Sequence, residues 1–326
     1  MRALRASCLC ASIALTCTGT NTHAQSTSAY PVKPVRVVVG LAPGGGTDIQ
    51  TRLIAQKLTD ALGRPFIVEN RTGAGGTVAY ALIAKSPADG YTLLGVASGY
   101  SITPAVFGQL PYDPIADFAP ISLAIEAPML LLAHPAVPAR SARELIALAR
   151  ARPGALDFGS AGYGSSNHMA MELFNSMAGV KLTHVPYKGT GPALSDLVAG
   201  QIPVMFGNIL SCLPYVKAER LRALGVSSAR RSAAIPGVPT IAESGLPRYA
   251  DTTWHGWLAP AGTPQSIVVR LSTEIARAVK SADIVEKIAS DGGEAIGSTP
   301  EQFSRLLGEE IARWRKVARA ADVRVE

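Results

Sequence analysis

Three short apolar runs, Val35–Val39, Phe66–Glu69 and Tyr91–Ala97, are separated by segments with apolar residues at helical spacing: Ile49, Leu53, Ile54, Leu58 and Leu62 in the first, residues 77–85 in the second. Strand, helix, strand, helix, strand at this spacing leaves little choice of fold. The strands pair in parallel through right-handed crossovers, with helices covering the sheet. The pattern returns with strand-like runs at Leu156–Phe158, Leu182–Tyr187, Ile202–Phe206 and Arg222–Ser227, and with helices expected at 168–178, 192–199 and about 212–219. Two α/β lobes, each a parallel-rich sheet flanked by helices, account for the repetition. Ala127–Ala133 and Trp254–Ala259 fit strands that cross between the lobes. Residues 25–34 read as a linker, and 100–124, with Pro104, Pro111, Pro114 and Pro120, as an irregular excursion. Ser141 with Glu144 makes a capping box, and Thr299, Pro300 and Gln302 open a last helix.

Four glycine-rich turns fall where strands hand over to helices: LAPGGGTDI (41–49), GAGGT (73–77), GSAGYGSSNH (159–168) and YKGTGP (187–192). Such a turn lets the backbone approach a ligand, and the free N–H groups and dipole of the helix start favour an anion. The carboxyl edge of the strands is also where open α/β sheets bind ligands. Two turns per lobe, facing one cleft, would surround a small anion, with hydroxyls at Thr47, Ser98, Ser165, Ser166 and Thr190 as further donors. Asp48 reads first as a helix cap, and otherwise as a contact to a ligand hydroxyl, amine or water. Neither of the first two turns has the spacing of a dinucleotide fingerprint, and no G-x-x-x-x-G-K-[ST] occurs.

The remaining composition narrows the function classes. Arg2 and Arg5, the apolar stretch Leu9–Leu15 and Thr22-His23-Ala24 read as a secretory signal peptide cleaved after Ala24, so a soluble protein exported to the periplasm is expected. Ala14-Leu15-Thr16 is a poor lipobox for an anchor at Cys17. Without the signal, Cys212 stands alone, which leaves no internal disulfide, and the formal charge falls from +7 to +5, with 29 basic against 24 acidic residues. The basic residues are scattered and aromatics make up only 6% of the chain, so nucleic acid is not the expected partner. No G-x-S-x-G, no H-E-x-x-H and no histidine pair at i, i+4 occurs, so neither a metal site nor a cofactor is expected. Ser165, Ser166 and His168 are the one grouping from which a hydrolase could be argued, against the plainer reading of helix caps and anion donors.

Eight ordered blocks carry a resemblance: APGGGTD (42–48), VENRTGAGGT (68–77), SPADGYTLL (86–94), LPYDPIADFAPIS (110–122), FGSAGYGSSNHMAMELF (158–174), THVPYKGTGPALSDLVAGQ (183–201), PGVPTIAESG (236–245) and APAGTP (259–264). From about Tyr30 onward the chain resembles the Bug-type extracytoplasmic solute receptors of tripartite tricarboxylate transporters. The resemblance implies a two-lobed flytrap with the ligand between lobes, with 25–124 and 250–326 in lobe 1 and 125–249 in lobe 2. It implies a small carboxylate ligand (a di- or tricarboxylate, an acidic amino acid or an aromatic acid), integral membrane transporter subunits as partners, a monomer and no enzymatic activity. A periplasmic sensor would use the same site. By motif, the ligand positions carried over are Gly44, Gly45, Gly46 and Asp48, Gly75 and Gly76, then Gly162, Ser165, Ser166, His168, Lys188 and Gly189. Thr47 and Ser98 join them as hydroxyl donors. Leu41, Thr72 and Asn167 depart from the usual family residues, and Tyr100 is a position expected to shape selectivity.

Overall fold

A computed structural model of the chain describes residues 30–290, 292–320 and 323–324; the signal peptide expected over 1–24 lies outside the described residues. The first half opens with β1 (Val35–Val39), α1 (Gly46–Leu62), β2 (Phe66–Asn70), a 3₁₀ turn at Ala74–Gly76, α2 (Thr77–Ala84), β3 (Thr92–Ala97) and α3 (Gly99–Val106). β1 pairs in parallel with both β2 and β3. Val35, Val37, Val38 and Val39 are fully buried, as expected of a parallel strand covered on both faces. The long strand β4 (Phe118–Ala133) leads into the second half: α4 (Ala142–Ala151), β5 (Asp157–Ser160), α5 (Ser166–Ala178), β6 (Thr183–Pro186), α6 (Thr190–Val198), β7 (Val204–Asn208), α7 (Ile209–Lys217) and β8 (Arg222–Val226). The chain returns through β9 (Thr252–Pro260) to α8 (Gln265–Val279), α9 (Ala282–Ser290), β10 (Glu294–Ala295) and α10 (Pro300–Ala320).

The described strands lie in the order β2-β1-β3-β9-β4-β7-β5-β6, with β8 and β10 also paired to β4. β4 belongs to both lobes. Residues 118–128 pair antiparallel with β9, whereas 129–133 pair antiparallel with β7, and 130–133 also with β8. One set of cores packs α1 and α8 (Ile54, Leu58, Leu271, Ile275) against β1, β3 and β9, and α2 and α10 against the opposite face. Another packs Phe158, Phe174, Phe206 and Tyr249 on one face of the β5–β7 sheet and Leu194, Leu197 and Leu213 on the other. The expected crossing strands are therefore present and longer than the sequence suggested.

Two expectations fail. Residues 100–124 do not form one irregular excursion, because α3 covers 99–106 and β4 begins at 118. Pro104 sits inside α3 and removes the N–H that would have paired with the Tyr100 carbonyl, while Thr103 Oγ1 adds a separate bond to the Gly99 carbonyl at 2.8 Å. Ile102 and Val106 also pack against Trp314 and Ala318 of α10 and Met169 of α5, so tertiary contacts override a poor local sequence. Of the linker expected over 25–34, residues 25–29 lie outside the described residues, but Tyr30 is packed rather than free: its ring is buried and its hydroxyl donates to the Gly90 carbonyl at 2.6 Å. Both capping boxes form: Glu144 N–H donates to Ser141 Oγ (3.2 Å), and Thr299 and Gln302 exchange bonds of 2.9 and 3.3 Å.

Where the crossing strands leave one lobe for the other, Ser227 ties three segments together. Its Oγ donates to the Asp251 carbonyl (2.6 Å) and accepts the Met129 N–H (2.8 Å), and its carbonyl accepts the Asp251 N–H (2.9 Å). Ser227 is fully buried, so Ser227→Ala would strand a donor and an acceptor where water cannot reach them. At about 1–3 kcal/mol per orphaned group, urea unfolding is expected to show a loss of about 3 kcal/mol. A loss below about 0.5 kcal/mol, the size of an ordinary surface substitution, would contradict this account of the crossing.

Candidate functional site

Three helices begin at the carboxyl edges of their sheets without enough side-chain caps to satisfy their first turns. In α1 the N-cap is Gly45, which has no side chain to offer, and the first intrahelical bond is Ile49 N–H to the Gly45 carbonyl at 3.0 Å. The N–H groups of Gly46, Thr47 and Asp48 therefore have no partner within the helix. In α5 the Ser165 hydroxyl accepts the His168 N–H at 3.3 Å, which leaves those of Ser166 and Asn167. In α6 the N-cap is Gly189, again without a side-chain cap. Asn208 closes β7 and caps α7, accepting the Leu210 N–H on Oδ1 at 2.9 Å.

The lobes meet across this edge. The Ala42 N–H, in the turn before α1, donates to the Lys188 carbonyl in the turn before α6 at 2.9 Å. A Cβ on Gly46 would lie 2.6 Å from Asn208 Cγ, so glycine is what allows α1 to start against the cap of α7. Between them lies an inner cavity of about 20 Å³. Gly46 and Thr47 of α1, Ser166 and Asn167 of α5, Thr190 of α6 and Asn208 all line it. The remaining wall comes from Leu41, Ala97, Met129 and, on β9, Thr253 and His255. No acid, lysine or arginine is among these residues.

His255 sets the character of this cavity. Because Asn208 Oδ1 already accepts a backbone N–H, its amide nitrogen faces His255 Nε2 at 2.8 Å, and that nitrogen must accept. The proton then sits on Nδ1, which is buried and has no partner in the protein. Burial pushes the imidazole pKa down to about 3, so near neutral pH the ring is an uncharged donor with a free N–H. Nothing in the local sequence around His255 marked it; Asn208, directly before an apolar helical run, carried the signal of a cap.

An outer groove of about 380 Å³ runs along the same lobe boundary and shares Leu41 with the inner cavity. Gly75 and Gly76 line it from one side and Gly162 and Lys188 from the other. A Cβ on Gly75 would run into the Tyr163 carbonyl, so this turn too is packed against the opposite lobe.

The residues picked from sequence thus separate into walls and supports. Gly46, Thr47 and Ser166 line the inner cavity, and Gly75, Gly76, Gly162 and Lys188 the groove. Gly44, Gly45, Asp48, Ser98, Ser165, His168 and Gly189 line neither. Gly45 and Gly189 stand at the lobe contact, against Thr190 and Ala42 respectively. Ser98 Oγ lies 2.9 Å from Thr253 Oγ1. Ser165 Oγ donates to the Gly162 carbonyl at 2.6 Å. His168 is buried, stacked on His184 with ring centroids 4.0 Å apart, and its Nδ1 accepts the Gly164 N–H at 3.3 Å. Burial, with His184 adding to it, pushes the His168 pKa down to about 3. Ser165 meets His168 only through the His168 backbone N–H, and among the described residues no hydrogen bond joins the Ser165 or Ser166 hydroxyl to the His168 ring, so the nucleophile–base geometry of a hydrolase is missing. Nor is there, among those residues, a cluster of His, Cys, Asp and Glu able to hold a metal ion. Tyr100 lies in a lobe core with its hydroxyl on the Pro114 carbonyl (2.7 Å), away from both cavities, which removes it as a selectivity residue. Leu41 and Asn167, two of the departures noted in sequence, do line the inner cavity.

A two-lobed α/β fold with crossing strands and helix starts gathered at one cleft defines a periplasmic binding protein. The family model described as "Tripartite tricarboxylate transporter family receptor" matches residues 50–323, and the chain belongs to that family. BugT of Bordetella pertussis is 37% identical over 307 residues, which cover 92% of this chain and 93% of that protein. A structure of an R. palustris protein with adipate superposes with a TM-score of 0.88 at 38% identity, covering 90% of this chain and 99% of that one. MatC from Rhodopseudomonas palustris with bound malate superposes with a TM-score of 0.85 at 36% identity, covering 88% and 99%. No helix among the described residues is long and apolar enough to cross a membrane.

Asp48 is held within its own lobe. Its carboxylate accepts from the Gly44 N–H (3.1 Å), Arg52 Nε (3.0 Å) and Asn70 Nδ2 (3.0 Å). Burial raises its pKa, but these hydrogen bonds outweigh it and hold the group below the usual carboxylate value. A lowered folded-state pKa contributes stability above the unfolded value, near 3.9, that is lost as pH falls through the folded value. Asp48→Asn is therefore expected to be less stable than the parent at pH 6, with the gap closing below about pH 4, as read by denaturant unfolding across pH. A gap that stays constant down to pH 3 would contradict the carboxylate's role in shaping this turn.

Proposed function

We propose that this protein captures a small carboxylate between its lobes and hands it to the membrane subunits of a tripartite tricarboxylate transporter. The observation that carries this reading is the inner cavity: it gathers the starts of α1, α5 and α6, is walled in part by the neutral His255 and contains no ionised side chain. Donors of this kind suit a carboxylate, since charge-assisted hydrogen bonds are worth about 1.5–3 kcal/mol each. An added buried cation would have to be desolvated as well. That relatives of 36–38% identity were solved with adipate and with malate supports the same chemistry here.

In this reading 25–124 with 250–326 form lobe 1 and 125–249 form lobe 2, with the hinge where β4 and β9 cross. The ligand contacts are Gly46, Thr47, Ser166, Asn167, Thr190, Asn208 and His255. Gly44, Gly45, Asp48, Ser98, Ser165, His168 and Gly189 hold those walls in place, while Gly75, Gly76, Gly162 and Lys188 form the mouth. The protein is exported by the segment ending at Ala24 and acts in the periplasm. It performs no reaction: Ser165 and His168 are spent on backbone groups.

A thermal-shift series with small carboxylic acids tests the reading. A ligand at 100 times its dissociation constant adds about 2.7 kcal/mol, which is expected as a rise in melting temperature of several degrees. Shifts produced by neutral sugars or by amines, with none from any acid, would overturn it.

A further inference from the structure

The outer groove differs in kind from the inner cavity. It is far roomier, at about 380 Å³ against about 20 Å³, and its side chains are mostly apolar or aromatic. Leu41, Ala74 and Phe107 face it from one lobe and Tyr163 and Tyr187 from the other. Tyr163 is 44% exposed there, an unusual state for a large ring in a chain that buries most of its aromatics. The rings are also held in place. Tyr163 sits edge-on to His184 at 4.9 Å, Tyr187 Oη donates to Asp196 at 2.7 Å, and Phe107 lies along Gly164 of the opposite lobe.

Resting on the carboxylate reading above, we infer that the ligand is a monocarboxylic acid with an aryl or similarly bulky hydrocarbon body. Its carboxylate occupies the inner cavity and its body passes Leu41 into the groove. Volume and charge both lead there. A space of about 20 Å³ takes one small polar group, so a second carboxylate on a compact acid would have to lie outside it. Outside, Lys188 is the sole ionised side chain in either lining, and it is exposed. The second and third carboxylates of a citrate-like acid would lose water against rings and glycines with at most one cation in return. A phenyl or long alkyl body instead covers the Tyr163 and Phe107 rings and buries its own apolar surface. Because those rings are already fixed, little side-chain freedom is lost on binding.

Isothermal titration calorimetry of the purified mature chain tests the assignment. Benzoate, phenylacetate and 3-phenylpropionate would be compared with succinate, malate and citrate at equal ionic strength. At least one aryl acid is expected to bind about tenfold tighter than every compact acid. In Tyr163→Ala and Phe107→Ala, each checked for an intact melting transition, the aryl-to-compact affinity ratio is expected to fall about tenfold. Tighter binding of malate, succinate or citrate, or an unchanged ratio in both variants, overturns the inference while leaving the carboxylate reading standing. Failure of every acid in both sets overturns the carboxylate reading itself.

Discussion

An α-helix cannot pair the N–H groups of its own first turn, and unless a side chain caps them they must find another partner or face water. In this chain α1, α5 and α6 all start at the lobe boundary, and two of them start at glycines with nothing to offer as a cap. That one deficit organises the cleft. The glycines that leave the helix starts uncapped also let the backbones of the two lobes touch, as between Gly46 and Asn208 and between Ala42 and Lys188. The site is thus built mainly from main chain. The side chains around it, Asp48, Ser98, Ser165 and His168, are spent on fixing the turns rather than on facing the cavity.

The crossing strands give this arrangement its mechanics. β4 is continuous through both lobes, and β9 carries His255 and Thr253 on the stretch that joins them, so the floor of the cavity is also the connection between the lobes. Contacts such as Ala42 with Lys188 join the two lobes directly. In the proposed reading, a ligand that satisfies helix starts from both sides favours the state in which the lobes meet by its differential contacts, which is all that ligand-driven closure requires.

Much of the architecture was legible because it rests on local signals. The βαβ alternation, the valine run of β1, the capping boxes at Ser141 and Thr299 and the glycine turns each depend on a few neighbouring residues. Asp48 was partly legible, since Arg52 lies four residues on, at helical spacing, but its partner Asn70 comes from another strand. What escaped was non-local. α3 forms despite Pro104 because α10 and α5 pack against it, and α10 begins about two hundred residues later. His255 becomes a donor only because Asn208, on a different strand, fixes its tautomer. Sequence spacing holds no trace of that pairing. The motif glycines were read as one group around a cleft, whereas the division into an inner polar cavity and an outer groove required the lobes to be brought together.

In the proposed reading, main-chain donors from both lobes, beside the neutral His255, hold the carboxylate. A crystal structure of the protein with a bound carboxylic acid tests it most directly. Carboxylate oxygens are expected within about 3 Å of N–H groups at Gly46–Thr47 and Ser166–Asn167. A carboxylate seated instead on Lys188 or on surface arginines, with the helix starts left to water, would contradict it.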